Sequence, residues 1–218
     1  SNTTTLSGTN TYTGGTTVTL GTLSISTPAN LGASAGTLTL NGGILTITGS
    51  SAFSTDKAIT LSASSTINNT NSAGASFTGN VDASSASTLT LTGTQAITFS
   101  TGVISNGVAA LALTQNTSNT TTLSGTNTYT GGTTVSQGVL KAGSASPFGT
   151  GAISVIANAA IDLNGQAITT TGGLTLRGTG ASSGGALFNS STAASYDGLI
   201  TLGAASSIVG GTGSITLN

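Results

Sequence analysis

Four carboxylates and three cations are the whole charged inventory of this 218-residue chain: Asp56, Asp82, Asp162 and Asp197 against Lys57, Lys141 and Arg177. Glycoside hydrolysis needs a paired acid and base roughly 5–10 Å apart. Lyase chemistry needs carboxylates on calcium with a basic residue beside them. The four aspartates are far apart in sequence and share no motif, so such a pair could form only if folding brought two of them together. Asp56-Lys57 reads as an exposed loop pair, worth little as an ion pair. Arg177 follows a strand-like stretch and reads as solvated. There is no His, Cys, Met, Trp or Glu, which removes the usual nucleophile–base pairs and soft metal ligands. No Gly-Gly-x-Gly-x-Asp run signals a calcium-binding β-roll, and no glycine loop precedes a Lys in a βαβ setting. The expectation is therefore no catalytic residue, no metal and no cofactor. Asn2-Thr3-Thr4 and Asn116-Thr117-Ser118 match the glycosylation pattern, as chance allows in a chain this rich in Asn and Thr.

The strongest signal is a duplication. Ser1 to Val18 reads SNTTTLSGTNTYTGGTTV, and Ser118 to Val135 repeats it letter for letter. Its chemistry-bearing residues are Asn10, Tyr12, Gly14 and Gly15, and in the second copy Asn127, Tyr129, Gly131 and Gly132. These are expected to be structural. The Asn would cap a turn through its amide. The Tyr would pack its ring on a neighbouring coil with its hydroxyl near water, and the glycines would allow a corner.

The elements that must hold these residues are short strands. Thr or Ser alternates with aliphatics at Thr37–Leu40, Thr88–Leu91, Ala110–Leu113, Ile153–Val155, Leu174–Leu176, Ile200–Leu202 and Ile215–Leu217. Period two places apolar residues on one face and polar ones on the other, and outward Thr suits a pleated surface. Helical spacing is nearly absent. Gly-Gly and Asn-Gly steps cut the strands into pieces. An antiparallel sandwich competes on that evidence, but very short strands and long-range repetition favour an all-β parallel β-helix, a β-solenoid. At roughly 20–25 residues per coil the chain makes about nine to eleven coils, a rod about 45–50 Å long.

Composition agrees. Charged residues are 3% of the chain, against about 25% in an average domain. Like charges stacked on successive coils would repel, whereas Thr, Ser and Asn ladders avoid that cost. A disordered linker is the bland alternative, but net charge is −1 and β-branched residues recur throughout. Three scattered cations make no nucleic-acid surface. No apolar run is long enough to span a membrane as a helix.

The string Leu6-Ser7-Gly8-Thr9-Asn10-Thr11-Tyr12-Thr13-Gly14-Gly15-Thr16-Thr17-Val18, followed by Leu20-Gly21-Thr22-Leu23, resembles the passenger-associated transport repeat, the autotransporter-associated β-strand repeat of type V secretion passengers. The second copy, Leu123 to Val135, continues through Gln137-Gly138-Val139-Leu140 to a Pro147-Phe148-Gly149-Thr150-Gly151 turn and an Ile161-Asp162-Leu163-Asn164-Gly165 strand and turn. The first copy is looser, with Asn30-Leu31-Gly32 and Gly43 to Gly49. Residues 50–117 and 170–218 match only in composition and strand pattern. The resemblance implies a right-handed parallel β-helix in a secreted or surface-exposed bacterial passenger, anchored through an outer-membrane barrel in the parent protein.

On this reading residues 1–218 form a single β-helix segment, an excerpt of a longer repeat protein. Its expected job is a stalk that presents or adheres, with partners on a host or neighbouring cell surface. One alternative partner is other copies of itself, stacked head to tail into a filament, and another alternative role is a polysaccharide-cleaving enzyme. Asn68 to Ser87, rich in Asn, Ser and Gly, is expected to leave the rod as a loop.

Overall fold

The computed structural model describes residues 2–169 and 172–218, so Ser1, the first letter of the duplicated string, lies outside the described residues. Every pair of strands among these residues is parallel, and the chain winds as a β-solenoid of about ten turns. The register makes the winding explicit. On one face the stacked partners run Thr4, Leu23, Leu45, Ile67, Leu91, Gln115, Val135, Val155, Leu176 and Leu202. The step along the chain ranges from 19 residues, Thr3 to Thr22, to 28, Ala167 to Ser195. Among the described residues helix is confined to two short 3-10 turns, Pro28–Leu31 and Ala181–Ser183.

Alternation explains why each coil closes on a dry centre. In Leu38–Asn41 and Ile44–Ile47 every second side chain points inward and is buried, and the Thr between them points out. Three faces built this way enclose one continuous core from Val18 to Tyr196. The second face stacks Phe53, Ala75, Ile97, Thr121, Leu140, Ile161, Leu187 and Ile208. Beside that row the Phe77 and Phe99 rings stack with centroids 5.2 Å apart, and Phe53 tilts onto Phe77 at 6.1 Å. The third face stacks Leu38, Ile59, Val81 and Ile104. A row of aliphatics at the ~4.8 Å coil spacing excludes water as a helix bundle does, with every backbone pair spent on the neighbouring coil.

Two polar residues interrupt the rows. Gln115 and Thr121 are both fully buried, on either side of a kink where the register of strand Leu111–Leu123 shifts. The Gln115 amide donates to Thr117 Oγ1 at 3.1 Å and to the Asn119 carbonyl at 3.3 Å. Among the described residues its Oε1 and the Thr121 Oγ1 have no partner.

The expected loop at 68–87 is absent. Strands Ser65–Asn69, Ala75–Phe77, Val81–Ala83 and Ser87–Gly93 run through it as regular core. Three of its polar residues, Asn69, Asn71 and Ser87, are buried. Asn71 Nδ2 donates to the Thr48 and Ser51 carbonyls at 3.0 and 2.9 Å, and its Oδ1 accepts the Ala73 amide at 2.9 Å. Lys57 departs from expectation too. It is 3% exposed, and its ammonium donates to the carbonyls of Ala33 and Gly36 in the preceding coil. It clamps that turn and forms no exposed pair with Asp56.

The duplicated turn as candidate functional site

The same eighteen letters occupy two different environments, and the comparison isolates what the string itself encodes. In both copies the tyrosine hydroxyl meets the hydroxyl of a Thr four residues on, Thr16 or Thr133, at 2.7 Å. In both, the Asn amide donates to a carbonyl of the following coil, Asn10 to Asn30 at 2.7 Å and Asn127 to Pro147 at 2.6 Å. In both, a glycine twenty residues beyond the Tyr lies against its ring. A Cβ on Gly32 or Gly149 would fall within 2.7 or 2.8 Å of that ring, and both have φ near +70°. The local geometry is therefore written into the string and the turn after it.

The preceding coil supplies the difference. Asn127 Oδ1 accepts the Ile104 amide at 2.8 Å, so this side chain ties the coil before it to the coil after it. This role differs from the expected cap on its own turn. Tyr129 is fully buried, whereas Tyr12 is 38% exposed. The Tyr129 hydroxyl is thus enclosed, not near water as expected, and burial pushes its phenol well above the usual tyrosine range, against a smaller opposing effect of the Thr133 hydrogen bond. Gly131 packs under the coil before it, its Cβ position 2.6 Å from the Leu111 carbonyl, while Gly14 meets nothing. Gly132 has φ of +87° and a Cβ position 2.8 Å from the Ala152 carbonyl; Gly15 stands at the same distance from the Thr37 carbonyl.

The carboxylates are not brought together. Asp56 and Asp197 are exposed on different coils, and Asp82 lies outward on the third face. Asp162 is buried, but its oxygens are engaged. Oδ1 accepts the amides of Asn164 and Ser190 at 2.9 Å each, and Oδ2 accepts the Ser190 hydroxyl at 2.6 Å with Lys141 Nζ 3.6 Å away. This arrangement pins a corner to the next coil and offers no free base. Arg177 lies within strand Leu174–Gly178, exposed, with its guanidinium donating to Ser154 Oγ at 3.3 Å. Among the described residues no three acidic, His or Cys side chains cluster to hold a metal. No described helix is long and apolar enough to cross a membrane.

Residues 1–25 and 113–142 match the family model of the passenger-associated-transport-repeat. The two matched segments contain the two copies of the string, together with the strands that follow them. The tyrosine–glycine and asparagine–carbonyl contacts above join each matched segment to a turn that lies beyond the matched residues. No curated protein and no solved structure matches the chain. Sequence reasoning marked the Asn, Tyr and Gly-Gly of these repeats but missed Thr16, Thr133 and the pairing of Tyr with Gly32 and Gly149. The signal was present: the glycine follows the Tyr at the same spacing in both copies.

Proposed function

We propose that this chain is a structural stalk segment of an autotransporter-like passenger, secreted or displayed at a bacterial surface, where it extends and presents what it carries and adheres through its outward Thr, Ser and Asn ladders. The observation that carries the reading is the inward row that stacks coil on coil from Leu23 to Leu176, apolar at every step but Gln115, combined with two segments of the same rod that match the passenger-associated transport repeat. A solenoid gains length by adding coils, each contacting only its neighbours. A non-catalytic role is part of the proposal, supported by the separation of the aspartates and the engagement of Asp162.

The test is display. The chain is placed between a secretion signal and an outer-membrane translocator barrel, with an epitope at its far end. The expected result is a protease-accessible epitope held off the surface, and cells that settle on glycan- or cell-coated surfaces more than cells carrying the barrel alone. Retention of the epitope inside the cell would sink the stalk reading. Display with no gain in settling would sink adhesion while leaving the stalk. Turnover in a polysaccharide-degradation panel that D162N abolishes would replace both with an enzyme.

A further inference from the structure

Each face of the rod shows solvent a column of outward side chains, one per coil. On the second face the column runs Ser54, Ser76, Thr98 and Thr122 and then meets Lys141. On the third it runs Thr39 and Thr60 and then meets Asp82. On the first face it runs Thr66, Thr90, Thr114, Thr134, Ser154 and Thr175, hydroxyl after hydroxyl, with the partners in register at every step. Five steps at the stacking distance make this column about 24 Å long.

A second column stands beside it in the same interior coils. Thr46, Asn68, Thr92 and Asn116 stack in register, two residues further along their strands and so about 6.6 Å away. These side chains hold one another. The Asn68 amide donates to Thr46 Oγ1 at 3.4 Å, and Thr92 Oγ1 donates to Asn68 Oδ1 at 3.2 Å. In the first column the hydroxyls of Thr66, Thr90, Thr114 and Thr134 make no hydrogen bond among the described residues, which leaves them to water. Thr is stiff at χ1, so the grid is fixed before anything meets it. Arg177 is the one charged residue on this face, and it lies beyond the paired columns, reaching back to Ser154. The strands that carry the grid contain no aromatic residue, so no ring is offered for a sugar to stack on.

We propose that this face binds ice. A single hydroxyl gains little from a bond to ice, because it gives up a bond to liquid water. A rigid grid is different, since it holds many waters in fixed relative positions. Ordering each of them costs up to about 2 kcal/mol from the liquid, and in a crystal they are ordered already. The repeats of about 4.8 Å along the rod and about 6.6 Å along the strand lie close to the two repeats of the prism face of hexagonal ice, so one lattice can continue into the other. Ice carries no net charge and excludes ions, which matches a grid free of charge from Thr46 to Ser154. A polyanion or a basic peptide would need the charges that this face lacks. The assignment rests on the reading that the outward ladders adhere, and it names the partner of one of them.

Ice grown in a solution of the purified chain tests it, with no cell or glycan present, so that failure here is distinct from failure of display or of settling. The wild type should be taken into a slowly advancing ice front, facet ice crystals near the melting point and stop their coarsening on annealing. T90K and T114K set an ammonium in the middle of the grid, where ice would strip its hydration, and each should raise the concentration that stops coarsening by about tenfold or more. T98K puts the same charge in the outward column of the second face and should leave that concentration unchanged. All three threonines point outward and are partly exposed, so the variants should fold, which far-UV circular dichroism and the urea midpoint check. T92K, in the second column, serves where either grid variant fails to fold. A wild type swept ahead of the front, with no effect on crystal shape, overturns the proposal. So does a loss in T98K equal to that in T114K, or activity that survives in T90K, T114K and T92K alike.

Discussion

Thr121 and Gln115 put polar atoms where the coils stacked directly on either side have aliphatic side chains, Ile97 and Leu140 for Thr121 and Leu91 and Val135 for Gln115. Thr121 Oγ1 is buried without a partner among the described residues. An unpaired buried hydroxyl costs about 1–3 kcal/mol, so T121V should raise stability by about 1 kcal/mol, read as a higher urea midpoint at unchanged slope. Tyr129 and Tyr196 give the chain a pH dependence. Burial raises both phenols above the usual range, while in the unfolded chain they ionise near pH 10. Their contribution is therefore complete below about pH 10 and is lost as pH rises above it, by up to about 1.4 kcal/mol per pH unit for each tyrosine. Y129F should flatten the alkaline limb of stability against pH; an unchanged limb would show that this phenol is not enclosed in solution.

At the scale of the element, the corner asparagines act as clasps between coils. Asn30, Asn71, Asn127 and Asn189 each bridge to backbone of an adjacent coil. N127A should cost about 2–3 kcal/mol, since it removes two bonds and strands the Ile104 amide. N10A, which removes one bond at an open end, should cost about 1 kcal/mol or less. Equal losses in thermal unfolding would mean that the preceding coil adds nothing. The strands themselves were legible: Ile153–Val155 and Ile215–Leu217 are strands with the bounds their alternation marks. The stretch 68–87 was misread because composition cannot separate an Asn exposed in a loop from an Asn turned into a corner and satisfied by backbone. Lys57 was misread for the same reason. The acceptors that let it turn inward are carbonyls of the preceding coil, and carbonyls leave no mark in a sequence.

For the whole molecule, nearest-neighbour stacking makes stability a property of position along the rod. Amides of the end strands Thr3–Leu6 and Ile200–Ser206 should exchange with solvent fastest, and those of Ser87–Gly93 and Leu111–Leu123 slowest. Uniform protection from end to end would contradict the solenoid's modular energetics. One geometric fact sets how such a rod is seen from outside. Thr4 reaches Gln115 in five stacking steps, yet its counterpart in the duplicate is Thr121, which lies one face further on and stacks on Ile97. The duplication is thus out of phase with the coil by a third of a turn. Repeated at that offset, the motif would follow a slow screw and regain its original azimuth only after sixteen turns, about 77 Å at the stacking distance of a parallel sheet. A receptor approaching from any side would meet one copy in three, and no single flank of the rod would hold the motif.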